Sequence, residues 1–466
     1  MQGKKPRTLR ELKSRINRLP GVREEMRANL VRKLALGEPL FPGLIGYENT
    51  VIPGLVNALL CGHNIIILGE RGQGKSRIIR QMTGFLDEEI PVIEGCPIND
   101  DPFAPVCSNC RRMAHELGDN LPIDYVRRDR RLIEKLATSD VSTADLIGEI
   151  DPIKIAEGRT LDDESSIHFG LIPRANRGIF AINELPDLAE KLQVAFFNIM
   201  EEGDFQIKGF PLRLPLDVLV IATANPEDYT SRGRIITPLK DRFDVQLRTH
   251  YPAKREDEID IMVQEGNPPV LNGIEVKVPS FINQILSEMT LQARHSTEIN
   301  QHSGVSCRIS IRGFETIIGS AIARCLATNE LVAVPRITDL ESMYPSMRGK
   351  LELEYEVEEK KIDQVLEALK SSALKTVFDE HFNIENLTSV IKAFSNGMSA
   401  EVSRILPSSE YLDGFTVIPG LKEAVQSLAD PDVPAEAASA IEFILEGLHL
   451  SKKLNREVQE KGAVYK

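Results

Sequence analysis

The stretch Asn64-Ile-Ile-Ile-Leu-Gly69-Glu-Arg-Gly-Gln-Gly-Lys-Ser76 decides the fold. Its first part, Asn64 to Leu68, is the short apolar run of a strand buried on both faces. It feeds a glycine-rich loop that fits G-x-x-x-x-G-K-[ST], and Ser76–Met82 then reads as a helix. Glycines let a backbone wrap phosphate groups with its N–H groups inward, and the helix N-terminus adds partial positive charge. The pattern makes Gly69, Glu70, Arg71, Gly72, Gln73, Gly74, Lys75 and Ser76 the nucleotide-contacting residues. Lys75 is placed to reach the β- and γ-phosphates of ATP, and the Ser76 hydroxyl to ligate Mg²⁺.

Two more apolar strands lie downstream, Gly178–Ile182 and Val218–Ala222. Strands alternating with helices imply a parallel α/β sheet. Each of these strands ends on polar residues suited to phosphoryl chemistry. The first runs into Asn183-Glu184, where Glu184 can polarise an attacking water and Asn183 offers Mg²⁺ a single neutral acceptor. An acidic residue at position 183 would neutralise more of the metal's charge, so a nucleotide-binding protein without hydrolysis is the competing reading. The second strand leads into Thr223-Ala-Asn225, and Asn225 can orient the water; a strand-end Asn is otherwise a turn former.

The chain has 466 residues, 42% hydrophobic and 27% charged, which suits a folded chain of several domains and excludes a wholly disordered one. No run reaches membrane-spanning length, and the N-terminus lacks the apolar segment of a secretory signal. The net charge of −13 argues against duplex nucleic acid as a partner. Residues 1–34 depart from that sum, with eleven basic residues against three acidic ones, a net of +8. Leu9, Leu12, Ile16 and Leu19 recur there at helical spacing, and Thr8 with Glu11 resembles a capping box. The arm therefore reads as an amphipathic helix with a solvated basic face.

Taken together, the phosphate loop, the acidic strand and the strand-end Asn look like the AAA+ ATPases. More narrowly, the chain resembles the magnesium-chelatase ATPase subunit and its MoxR-like relatives. Glu94-Gly-Cys-Pro-Ile-Asn-Asp-Asp-Pro102, Leu146-Ile-Gly-Glu-Ile-Asp-Pro152 and Ala156-Glu-Gly158 are similar to that subunit's insert. Gly170-Leu-Ile-Pro-Arg-Ala-Asn-Arg-Gly178, Ala224-Asn-Pro-Glu-Asp228 and Leu239-Lys-Asp-Arg-Phe243 are similar to its later motifs. The resemblance covers roughly residues 40–335. It implies a homo-oligomeric ring, commonly a hexamer, and a partner protein with a von Willebrand factor A domain. By the same resemblance Arg242 is the arginine presented to a neighbour's ATP. The subunit's other arginine falls on Ile236, with Arg234 as a substitute. Arg308 matches the lid arginine, with Arg312 one turn on. Glu201–Asp204 and the residues to Pro211 resemble a hairpin that projects from the ring.

Six cysteines, at 61, 96, 107, 110, 307 and 325, form no disulfide framework and suit a reduced, cytoplasmic protein. Cys96, Cys107 and Cys110 with His115 offer four ligands for a structural zinc; packing or a redox-sensitive pair are the alternatives.

The expected architecture is a basic helical arm (1–38), an AAA+ α/β ATPase core (39–252) with an insert at about 95–170, a helical lid (253–335), and an acidic, mainly helical C-terminal region (336–466). The expected function is that of an ATP-hydrolysing ring motor that remodels a partner protein or a metal-insertion complex. A chelatase subunit for porphyrin metallation and a non-hydrolysing ATP-binding scaffold are the alternatives.

Overall fold

The run at 65–68 is a strand with every residue buried, and it anchors a sheet whose two faces hold separate cores. The computed structural model describes residues 5–150, 167–207, 213–226, 235–301, 304–353, 359–415, 417–459 and 462–466. Among these, the main sheet has five strands: β1 (Ile65–Leu68), β2 (Leu132–Leu136), β3 (Gly178–Asn183), β4 (Val218–Ala224) and β5 (Val245–Arg248). Their order is β5-β1-β4-β3-β2, and every pairing is parallel. This is the α/β P-loop core expected from the sequence. Strands β2 and β5 were not read there: β2 is Leu-Ile-Glu-Lys-Leu and β5 Val-Gln-Leu-Arg, and their mixed polarity hides them.

Side chains alternate across the sheet. Ile66, Phe180, Ile182, Val218 and Val220 pack into one core, and Ile65, Ile67, Ile179, Leu219 and Ile221 into the other. The basic arm belongs to both. Helix α1 (Leu9–Lys13) adds Leu9 and Leu12 to the first core, and α2 (Val22–Leu36) adds Val22, Met26 and Leu30 to the second. Arg10, Lys13, Arg15, Arg18, Arg27 and Arg32 stay exposed, but α1 ends at Lys13, so Ile16 and Leu19 lie outside the helix expected to carry them. The capping box is half made. Thr8 accepts the Glu11 N–H at 3.4 Å, but the Glu11 carboxylate takes the Arg7 N–H at 2.8 Å. A buried ion pair, Glu25 with Arg131 at 2.6 Å, ties α2 to the residue before β2.

Helix α3 (Val51–Cys61) packs beside β5, and α4 (Lys75–Gln81) follows the glycine-rich loop. Within the insert, strand 123–127 pairs antiparallel with 89–93 just before it, and residues Ser108–Leu117 form helix α5. Strand 204–206 pairs antiparallel with 213–215, beside the stretch read as a hairpin. Helix α6 (Thr237–Arg242) carries the Asp-Arg-Phe arginine. Residues 151–158, 208–211, 227–228 and Arg234, all invoked above, lie outside the described residues.

The chain divides into two compact units, Met1–His250 and Tyr251–Lys466. In the second, α7 (Ser280–His295), α8 (Arg308–Thr328), α9 (Glu359–His381) and α10 (Pro434–Leu450) share one hydrophobic core that runs from Met262 to Tyr465. The division drawn at residue 335 falls inside that core. Helix α10 is buried all round from Ala437 to Leu448, and Phe443 stacks on Phe281 with ring centroids 4.5 Å apart. A small antiparallel sheet of 400–403, 462–465 and 456–459 also belongs to this unit. No helix among the described residues is long and apolar enough to cross a membrane.

Candidate nucleotide site

Strand order brings the three sequence motifs together. Because β4 lies between β1 and β3, the loop after β4 sits between the phosphate loop and the acidic strand end. Register keeps the three ends level, since Leu68 pairs with Ala224 and Ala222 with Ile182. Ligands of open α/β sheets bind at such carboxyl-terminal strand ends.

The loop itself needs its glycines. Gly72 and Gly74 have φ of 77° and 70°, the left-handed region that side chains rarely adopt. At Gly69 the reason is a close approach: a Cβ would lie 1.7 Å from Thr249 Oγ1 and 2.4 Å from Gln73 Oε1. Thr249, just past β5, donates to Gln73 Oε1 at 2.7 Å, and that oxygen also accepts the Glu70 N–H at 2.9 Å. The Tyr47 hydroxyl lies 2.8 Å from both the Gln73 and the His250 carbonyl oxygens. Thr249 and Tyr47 thus brace the loop from behind; neither residue carries a motif that sequence reading could have used. A cleft of about 380 Å³ beside the loop is lined by Gly69, Glu70, Gln73, Lys240, Arg248 and Thr249 among others.

Lys75 is buried at the start of α4, and Ser76 beside it is exposed. The Lys75 ammonium donates to the Gly69 carbonyl, to the Glu70 carbonyl at 3.0 Å and to Asn225 Oδ1 at 2.6 Å. Asn225 in turn donates from Nδ2 to Glu184 Oε2 at 2.9 Å. One continuous line, Lys75 to Asn225 to Glu184, therefore joins the phosphate loop to the acidic strand. Glu184 has φ 56° and ψ 50°, a left-handed backbone that costs a non-glycine residue about 1–2 kcal/mol. Its N–H is held by Thr223 Oγ1 at 3.1 Å, and Thr223 donates to Asn183 Oδ1 at 3.3 Å. Thr223 was not singled out from the sequence; its place opposite Asn183 and Glu184 comes only from strand pairing.

The arginines are distributed differently. Arg242 ends α6, stacks over the Phe197 ring at 4.4 Å, and pairs with Glu201, donating from Nε at 3.0 Å. The Ile236 N–H donates to Gln193 Oε1 at 3.0 Å. Arg308 is the exposed first residue of α8 in the second unit, and Arg312 pairs with Glu315 three residues on.

The cysteines form a second cluster. One ligand atom from each of Cys96, Asp100, Cys107 and Cys110 lies within 4.8 Å of the others. His115 does not join them and is exposed on α5, so the ligand position read for it falls to Asp100. Hydrogen bonds from the Cys107 and Cys110 thiols hold the Cys96 thiol down, to about 4, and burial raises Asp100 to about 7.

No family model matches the chain. It is 28% identical to magnesium-chelatase subunit ChlI of Nostoc sp. over 240 residues, 49% of this chain and 60% of that one. It is 24% identical to the magnesium-chelatase 38 kDa subunit of Rhodobacter capsulatus over 229 residues, 48% of this chain and 60% of that one. The chain thus spans about 60% of the length of the curated relatives it matches. Among solved structures, it aligns with the complex between subunits BchI and BchD of magnesium chelatase at 18% identity. That alignment covers 73% of this chain and 96% of that one, with a TM-score of 0.37. The relatives bear out the resemblance read from the motifs: the chain is ChlI-like.

Proposed function

We propose that the protein is an ATP-hydrolysing AAA+ motor of the magnesium-chelatase type. The observation that carries this reading is the hydrogen-bonded line from Lys75 through Asn225 to Glu184. It sets a cation for phosphate and a carboxylate for water on either side of one polar side chain. The phosphate loop fits ATP with Mg²⁺: left-handed glycines at 72 and 74, a buried lysine, and an exposed Ser76 hydroxyl at a helix N-terminus. Ser76 and Asn183 would hold the metal, which when bound neutralises charge across the β- and γ-phosphates. Lys75 stabilises the charge that builds on the transferred phosphoryl group. Glu184 accepts a proton from the attacking water, and Asn225 holds the Glu184 carboxylate in line. A neutral Asn183 lowers the metal's support without removing the base.

In this reading the chain assembles into a homo-oligomeric ring in which Arg242 of one subunit exchanges Glu201 for the ATP of its neighbour. Arg308 acts as the lid arginine, and a partner with a von Willebrand factor A domain or a metal-insertion complex receives the work. Six free thiols suit the cytoplasm. The test is steady-state ATPase activity with nucleotide binding measured alongside. Lys75→Ala should weaken ATP binding about tenfold or more, the worth of a hydrogen bond to a charged group. Glu184→Gln should bind ATP normally and turn it over about 10²–10⁴-fold more slowly, the usual contribution of a general base. Wild-type turnover in both variants excludes the mechanism.

A further inference from the structure

We propose that Cys96, Asp100, Cys107 and Cys110 form a structural zinc site that staples the insert to the first unit's core. The spacing is C-x3-D-x6-C-x2-C, and the three thiols and the carboxylate converge to within 4.8 Å of one another. Ligands about 2.0–2.3 Å from a tetrahedral zinc lie roughly 3.3–3.8 Å apart, so closure of the cluster needs side-chain adjustments only. Three thiols and one carboxylate select zinc over magnesium or calcium, which take oxygen shells of six or more.

The carboxylate points to a ligand independently of the thiols. Asp100 is fully buried, and its two oxygens have different fates. Oδ2 accepts the N–H groups of Val106 and Cys107 at 3.0 and 2.9 Å, which orient the group. Oδ1 is buried and has no hydrogen-bond partner among the described residues. A buried carboxylate oxygen left unpaired is costly, and a cation among the three sulfurs would satisfy it. The sulfurs are prepared in the same way. Cys96 Sγ accepts the Asp100 N–H, and Cys107 Sγ accepts the Cys110 N–H, each at 3.4 Å. Such bonds fix the positions of these two sulfurs. With four protein ligands and no open position, the site is structural rather than catalytic.

Its position gives it a purpose. Cys107 and Cys110 belong to the same core as Ile182 and Leu185, which flank Glu184. The loop between Cys96 and Asp100 meets the run before β3: Asn176 Nδ2 donates to the Ile98 carbonyl at 2.9 Å.

The full chain, purified from zinc-containing medium without chelator, should carry about one zinc per chain by elemental analysis. Titration with a mercurial should release that zinc as three thiols react. Asp100→Asn should weaken zinc binding roughly tenfold or more, the double variant Cys107→Ser/Cys110→Ser should hold none, and His115→Ala should match wild type. If the serine variants fail to fold, cobalt-loaded wild type remains decisive. Intense tetrahedral d–d bands with thiolate charge-transfer absorption support the site, and a weak six-coordinate spectrum overturns it. Wild type that takes up no zinc, including one in which Cys107 and Cys110 prove to be a disulfide, overturns it. Full zinc in the double serine variant also overturns it, as does loss of zinc on His115→Ala with retention on Asp100→Asn.

Discussion

At the scale of single residues, the site depends on a few atoms with little room to move. Gly69 is the clearest case, because any side chain there meets the Thr249 hydroxyl and the Gln73 amide oxygen. Gly69→Ala should destabilise the protein by about 1–3 kcal/mol, the range for overpacking a filled site. Adding Thr249→Gly should give a double variant whose loss is smaller than the sum of the two single losses, read from denaturant midpoints. Strict additivity would mean that the contact is not what requires the glycine. Asn183 makes the opposite kind of prediction. Asn183→Asp puts a charged acceptor at the end of β3, so half-saturation should fall at lower Mg²⁺ in an ATPase titration. An unchanged Mg²⁺ dependence would place residue 183 outside the metal's shell. Both residues were legible in the sequence as motif members. Thr249, Thr223 and Tyr47 were not, because each acts through a partner from 26 to about 200 positions away, and no local pattern marks such a residue.

At the scale of elements, the arm and helix α10 show how polar groups are carried into a core. Helix α2 exposes a basic face, yet it places Glu25 in a buried ion pair with Arg131, whose guanidinium also donates to the Arg177 carbonyl at 2.8 Å. Removing one partner leaves the other charge buried and unpaired, so Glu25→Ala should cost about 3–5 kcal/mol. The arm's +8 charge reads as a solvated face; its apolar residues and this one acid make the arm part of the sheet's packing as well. Helix α10 carries Glu442 and Glu446 one turn apart in an otherwise apolar environment. Glu442 accepts hydrogen bonds from the Tyr411 hydroxyl at 2.5 Å and the Thr338 N–H at 2.9 Å, and Glu446 pairs with Arg456. At Gly447 a Cβ would lie 2.0 Å from Phe378 Cδ2, so Gly447→Ala should destabilise by about 1–3 kcal/mol. The periodicity of α10 was readable; its burial on every side was not, because the partners of its two acids are supplied by distant segments.

At the scale of the whole molecule, the two units have separate hydrophobic cores, one built on a parallel sheet and one on helices. Calorimetry should therefore resolve two transitions, with Glu25→Ala lowering one and Gly447→Ala lowering the other. A single transition shifted equally by both would show that the cores unfold as one. The sequence by itself determined the α/β class, the phosphate loop, the acidic strand and the strand-end Asn, because these are local patterns of apolar period and glycine spacing. Only the tertiary structure decided that β4 lies between β1 and β3, and that order joins Lys75, Asn225 and Glu184. Likewise it decided that Asp100 rather than His115 meets the cysteines, and that residues 253–335 and 336–466 share one core. The physical reason is common to all three. Pairing between strands and packing between helices join residues far apart in the chain, and many partners satisfy the same local pattern until the whole core is filled.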